Sequence, residues 1–286
     1  MAAAGRGAAS NPVDAKLLPK LAESVEVVRF DQPSSFRHIL HHAQFVAYQG
    51  DALRGCRPGL RFAASMEPKQ AAALRALEEV EDGMLLGLGS GSTAAYFIDA
   101  LGERFRGGLR VTGVATSKAS AEQAAAFGIP LLEHVDRPID LTVDGADQVD
   151  PALNLVKGLG GALLREKVVA AASNRMLVIA TEDKLVPRLD HGPLPVEVLP
   201  LLWERTAAAI SAIGLKPVLR EAGGQPFVTD NGNLILHCEL TGALEPAPLG
   251  AALDAIAGVI GHGLFLGLAT DAAIAGADGV RMLRPE

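Results

Sequence analysis

The sequence predicts an α/β fold: a doubly wound, mostly parallel sheet of Rossmann-like type with a second, smaller α+β domain. Three observations carry this. Short apolar runs alternate with amphipathic stretches from residue 66 to residue 180, the rhythm of βαβ units. The first run leads into a glycine-rich turn, Gly87-Leu88-Gly89-Ser90-Gly91-Ser92-Thr93, at a strand end where open α/β sheets bind ligands. Beyond Pro193 the rhythm changes, with Pro193, Pro195 and Pro200 as punctuation and Thr229-Asp230-Asn231-Gly232-Asn233 as a hairpin turn.

The elements follow in order. Leu74, Leu77 and Val80 form the core stripe of a helix over residues 67–80. A buried strand at 84–88 runs through the glycine-rich turn into a helix at 94–101. A strand at 111–115 precedes Ser117-Lys118 and a helix to Phe127. Strands at 139–143 and 176–180 flank a helix at 162–172. In the second domain a helix at 201–213 is expected. Strands follow at 218–219, 227–228 and 234–238, then a helix at 249–256 and a strand at 259–264. Residues 280–283 return to the first sheet as a last strand. The expected division is therefore 66–193 plus 267–286 for the larger domain and 194–266 for the smaller.

Residues 1–65 differ from the rest. They carry 8 Lys/Arg against 5 Asp/Glu, net +3, whereas 66–286 carry 18 against 28, net −10. Ala/Gly repeats open this stretch, and it holds His38, His41 and His42 without a further metal-ligand partner. It reads as a structureless N-terminal extension, or the product of a start codon set too early, with the folded protein beginning near Met66. Asp14, Glu23, Glu26 and Asp31 argue against a transit peptide.

Composition narrows the function. The whole chain of 286 residues has net charge −7, which argues against nucleic-acid binding. No apolar run approaches the ~18 residues of a membrane span. Cys56 and Cys238 lack any metal or CxxC spacing and read as reduced thiols of a cytoplasmic protein. His134, His191, His237 and His262 have no motif around them and read as structural or solvated.

The glycine-rich turn favours phosphate over a dinucleotide. Ser92 replaces the glycine a dinucleotide fingerprint wants, and Ala115-Thr116-Ser117 stands where a ribose-binding acid would be. No lysine precedes Ser92-Thr93, so a P-loop is excluded. Ser90, Gly91, Ser92 and Thr93 at a helix N-terminus suit a dianionic phosphate; the competing reading is an ordinary capped turn. A second polar group gathers at the next strand end: Asp144-Gly145-Ala146-Asp147, then Lys157-Gly158-Leu159-Gly160-Gly161, then Arg165-Glu166-Lys167. Crowded carboxylates raise one another's pKa and need a chemical reason.

Together with Pro193-Leu194-Pro195-Val196-Glu197-Val198, these motifs resemble, in order and across residues 66–286, ribose-5-phosphate isomerase of type A. Thr229-Asp230-Asn231-Gly232-Asn233 and Asp278-Gly279-Val280 fit as well. The resemblance implies aldose–ketose interconversion of ribose 5-phosphate and ribulose 5-phosphate through a cis-enediolate in the pentose phosphate pathway. It implies no metal or other cofactor. It makes Glu166 the proton-transferring carboxylate, Lys157 the charge beside the enediolate oxygen, and Asp144 and Asp147 acceptors for sugar hydroxyls that assist ring opening. It assigns substrate binding to Ser90, Gly91, Ser92, Thr93, Gly145, Ala146, Gly158, Leu159, Gly160 and Lys184, with Lys69 as a weaker addition. Leu159 departs from the pattern, standing where many relatives have glycine. The implied partner is a small sugar phosphate, with a homodimer or homotetramer as the assembly. A sugar-phosphate sensor would need a DNA-binding helix pair, which residues 1–65 do not show. A coenzyme A transferase would leave the lysine and twin aspartates unexplained.

Overall fold

A computed structural model describes residues 66–242 and 245–284; the expectations for residues 1–65 lie outside them. The first half runs α1 (Pro68–Leu77), β1 (Leu85–Leu88), α2 (Ser92–Arg106), β2 (Thr112–Ala115), α3 (Lys118–Ala126), β3 (Leu141–Gly145), β4 (Gln148–Val149), β5 (Leu155–Val156), α4 (Leu163–Ala171) and β6 (Met176–Thr181). The second half runs β7 (His191–Val198), α5 (Trp203–Ala212), β8 (Pro217–Leu219), β9 (Glu221–Ala222), β10 (Gln225–Pro226) and β11 (Leu234–Thr241). It ends with α6 (Pro246–Asp254), β12 (Val259–His262), β13 (Leu264–Phe265), β14 (Asp271–Gly276) and β15 (Gly279–Leu283).

The main sheet has the order β15-β14-β6-β3-β1-β2. Every neighbouring pair is parallel except β14–β15. Strand periodicity sorts its side chains. Leu86, Leu88, Leu141, Val143, Leu177, Ile179, Ala273 and Ala275 share one core with α1, α2 and α3 residues such as Ala72, Ala76, Phe97, Leu101 and Ala124. Met176, Val178, Ala180, Ala272 and Ile274 pack in another with Leu155, Ala170 and Phe265. The chain leaves β1 for β2 on one side and returns to β3 on the other, so the sheet has a switch point between β1 and β3.

A four-stranded sheet, β12-β7-β11-β8, carries the second core with α5 and α6 residues such as Ile210, Leu249 and Leu253. Pro193 and Pro195, expected as punctuation, lie inside β7. Strand β12 pairs only with Val196 to Val198. The two prolines therefore stand where β7 has a ladder on its β11 side alone, which tolerates a missing N–H. The hairpin turn at 229–233 is present, closed by Thr229 N–H donating to Asn233 O at 2.9 Å. The expected strand at 227–228 reduces to a single bridge, Val228 to Leu234.

The expected strand at 259–264 divides at Gly263 between β12 and β13, which belong to different sheets. A side chain at Gly263 would collide with the Lys157 carbonyl and Pro195. Only glycine lets the chain pass between the second sheet and the lysine loop. Strand β13 joins β4 and β5 in a three-stranded sheet that the sequence reading did not contain. Among the described residues no helix is long and apolar enough to cross a membrane.

Candidate active site

The pocket opens at the carboxyl ends of β1, β3 and β6, beside the switch point. Its wall includes Ser90–Thr93, Gly145–Asp147, Lys157, Gly158, Gly160, Glu166, Thr181 and Lys184. Twelve of the fourteen residues expected to act in catalysis or binding line this pocket; Asp144 and Leu159 do not.

One pole is the start of α2. Its N-cap is Gly91, at φ 92°, and no side chain caps the helix end. The contrast is α3, whose N-terminus is closed by a Ser117–Ser120 capping box. The uncapped α2 end therefore presents N–H groups and the positive end of a helix dipole to the pocket, without the side-chain cap of an ordinary capped turn. Ser90 Oγ is held away by Thr116 Oγ1 and Ser117 Oγ, each at 2.7 Å, so this hydroxyl braces the turn. Lys69, from α1, donates to Ser92 Oγ at 3.1 Å, bringing an ammonium to the same pole. Lys184 follows β6 in a short 3-10 turn and pairs with Asp183 at 2.8 Å.

The other pole is a buried charge cluster. Lys157 Nζ lies 3.0 Å from Asp144 Oδ2 and 3.3 Å from Glu166 Oε2, and donates to the Gly145 carbonyl. All three side chains are almost wholly buried. Neither Asp144 Oδ2 nor Glu166 Oε2 makes a hydrogen bond among the described residues; the ion pair with Lys157 is their contact. Burial pushes the Glu166 carboxyl up to about 8 against the opposing pull of Lys157, and the Asp144 charge adds to the rise. Burial works against the Lys157 charge, but the two carboxylates outweigh it and hold the ammonium above its ordinary range.

Local structure explains these positions. Asp144 is the last residue but one of β3, and its Oδ1 accepts from Ser90 N–H at 3.0 Å and Gly145 N–H at 2.7 Å. It thus joins the two poles from behind, with no exposed surface for a sugar hydroxyl. A side chain at Gly89 would strike this carboxylate, which is why the turn needs glycine there. Asp147 faces the pocket, and its Oδ2 accepts from Leu159 N–H at 3.0 Å. Leu159 is off the wall; its backbone serves Asp147 whatever its side chain, so the departure from glycine leaves this contact intact. Lys157 is threaded by its own N–H to Gly263 O at 2.9 Å. Glu166 sits in the first turn of α4, and the chain before it reverses at Gly158, φ +98°, and Gly161, φ +102°.

The sequence reading missed a neighbour of this cluster. The ammonium groups of Lys157 and Lys167 lie 5.4 Å and 5.2 Å from the centroid of the Phe265 ring. His262 is buried, with Nε2 3.2 Å from Asp254 and Nδ1 accepting from Leu264 N–H at 3.3 Å. Burial and the Lys167 charge lower its pKa to about 4, so it is a neutral structural histidine. No group of three or more His, Cys, Asp or Glu side chains arranged to hold a metal occurs among the described residues.

Residues 112–279 match the family model described as ribose 5-phosphate isomerase A (phosphoriboisomerase A). Ribose-5-phosphate isomerase A of Bradyrhizobium diazoefficiens is 51% identical over 228 residues, covering 75% of this chain and 94% of that protein. The structure of ribose 5-phosphate isomerase A from Methanocaldococcus jannaschii matches with a TM-score of 0.72 at 35% identity, over 76% of this chain and 98% of that one. A D-ribose-5-phosphate isomerase solved in complex with phospho-erythronic acid matches with a TM-score of 0.72 at 39% identity, over 76% and 97%.

Proposed function

The chain belongs to the ribose 5-phosphate isomerase A family, and from that premise we propose that its pocket interconverts D-ribose 5-phosphate and D-ribulose 5-phosphate by a proton shuttle on Glu166. The observation that carries this is the buried Lys157–Glu166 contact set opposite an uncapped helix end. A phosphorylated sugar spans such a pocket naturally, with its dianion at Gly91, Ser92 and Thr93, between Lys69 and Lys184, and its carbonyl end at Lys157. Phospho-erythronic acid, the ligand of a solved relative, has the same two anionic or polar ends.

In the open-chain aldose, ionised Glu166 takes the proton from C2. The C2–H electrons form the C1–C2 double bond of a cis-enediolate, and negative charge grows on O1. The Lys157 ammonium offsets that charge as it develops. Glu166 then returns its proton to C1 while the O2 hydroxyl proton moves to O1, leaving the ketose at C2. A carboxyl raised to about 8 is a far stronger base than an ordinary glutamate. Asp147 holds a sugar hydroxyl and assists ring opening. Asp144 fixes the Lys157 ammonium and the phosphate turn from behind the wall.

The test is ribulose 5-phosphate formation by the purified protein in EDTA, with Glu166→Gln alongside. Wild-type turnover is expected to survive chelation. Glu166→Gln is expected to lose nearly all turnover while binding the sugar phosphate within about tenfold of wild type. Turnover by Glu166→Gln near the wild-type rate would remove Glu166 as the base. The same reading makes the protein a cytoplasmic homodimer or homotetramer; exposed Leu201, Leu202 and Val218 around the second sheet support association, and sedimentation of the full chain measures it.

A further inference from the structure

The two poles of the pocket stand on different elements, α4 and the β1–α2 turn, so whatever spans them sets the distance a substrate must match. The 229–233 turn makes such a span. Glu197, on β7, is completely buried, and its Oε1 accepts from Thr229 Oγ1 at 3.0 Å, Asn231 Nδ2 at 3.1 Å and Asn233 Nδ2 at 2.9 Å. Thr229 Oγ1 in turn accepts from the N–H groups of Asn231 and Asn233. The turn is therefore fixed at its base by a carboxylate that no solvent reaches.

From this base it reaches both poles. Asn231 Oδ1 accepts from Arg165 Nε at 2.8 Å, and Arg165 immediately precedes Glu166 on α4. Asp230 Oδ2 accepts from Lys118 N–H at 2.8 Å, the first residue of α3. The preceding residue, Ser117, receives the Ser90 hydroxyl of the phosphate turn at 2.7 Å. The Phe227 ring, two residues before Thr229, stacks under Arg220 at 3.8 Å and stands where a side chain on Gly161 would be. One hairpin of the second sheet thus touches the base helix, the lysine–glycine loop and the support of the phosphate turn.

We infer that Asn231 and Asp230 are positioning residues for the isomerisation: Asn231 sets the Glu166 carboxylate through Arg165, and Asp230 sets the phosphate turn through the α3 N-terminus and Ser117. This rests on the reading of Glu166 as the base and of residues 91–93 as the phosphate site. The two residues touch no substrate. Their division of labour separates them from residues that merely stabilise the fold. Displacing a base by a fraction of the reacting distance costs turnover, whereas loosening an anion site costs affinity.

Steady-state kinetics of the full chain on ribose 5-phosphate, with inorganic phosphate as competitive inhibitor, test the division. Asn231→Ala is expected to lower kcat about tenfold with KM and the phosphate inhibition constant within about twofold. Asp230→Ala is expected to raise both KM and the phosphate inhibition constant about fivefold with kcat nearly unchanged. Asp230→Asn, which keeps an acceptor for Lys118 N–H, is expected to restore them. Wild-type kcat and KM per folded site in both alanine variants, or equal effects of both on both constants, would overturn the inference. Glu166→Gln run in parallel separates the causes: if it turns over normally, the base assignment has failed and not the positioning role.

Discussion

Lys157 Nζ stands 3.3 Å from Glu166 Oε2, with the two side chains 3% and 5% exposed. A buried ammonium persists only when paired, and a buried carboxylate only when compensated. The contact therefore keeps Lys157 charged and opposes the rise that burial imposes on Glu166. Asp144, 3.0 Å from the same ammonium, gives the cluster a second negative charge. Lys157 is thus needed to hold the cluster together even before substrate arrives.

Lys157→Met leaves Asp144 and Glu166 as two buried carboxyls with no cation. The expected cost is about 3–5 kcal/mol of folding stability, in addition to lost turnover. Urea unfolding of the variant against wild type measures it, and equal midpoints at equal slope would mean that water already reaches the cluster. The Glu166 titration is expected to move further up, since the lysine charge is the main influence holding it down.

The pH profile of kcat/KM reports the free enzyme's essential base. With Glu166 raised from 4.5 to about 8, its acid limb is expected well above the ordinary carboxylate range, with activity rising toward pH 8. Stability should run the other way. The folded state binds more protons than the unfolded one between 4.5 and about 8, so the Glu166 contribution favours folding at low pH and is lost as pH rises through that window. Glu166→Gln lacks this dependence, and its stability relative to wild type is expected to grow from about pH 5 to about pH 8. A constant difference in melting temperature across the range would contradict the raised carboxyl.

Strong periodicity made the doubly wound sheet and the helices around it legible, and motif order brought the pocket residues together. Burial was not legible. Nothing in Asp144-Gly145-Ala146-Asp147 distinguishes the aspartate behind the wall from the one in it; the difference arises because β3 runs one residue past Asp144 and turns its side chain under Ser90. The three-stranded sheet escaped notice because its two-residue strands are too short to show alternation. Strand β14, Asp271–Gly276, is an alanine-rich run buried on both faces and carries no period-two signal. Phe265 was invisible as a neighbour of Lys157, and His262 as a neighbour of Lys167, because they arrive from about a hundred residues away.

Cys238 lies in the centre of the second sheet, fully buried, and burial pushes its thiol up to about 12. The thiolate is the nucleophile, so Cys238 is expected to resist iodoacetamide in the native protein and to react only after denaturation. Peptide-resolved mass spectrometry of the labelled chain reads this residue directly. Rapid native labelling would mean that the β7–β11–β8 sheet opens readily.

Gly158 combines two constraints, a left-handed backbone and a close neighbour on the base helix. Its φ of +98° is a region L side chains avoid, and a Cβ there would press into Leu163, the first residue of α4. Gly158→Ala therefore strains the backbone by about 1–3 kcal/mol and pushes on the helix that carries Glu166. The glycine-rich turn at residues 89–93, the proposed phosphate site, runs from the end of β1 into α2 and should not feel the push. The expected result is a kcat lowered by about ten- to a hundredfold with inorganic phosphate inhibiting as in wild type. A fall in phosphate affinity with intact kcat would mean that the strain passes to the other pole, and that the lysine–glycine loop serves the phosphate rather than the base.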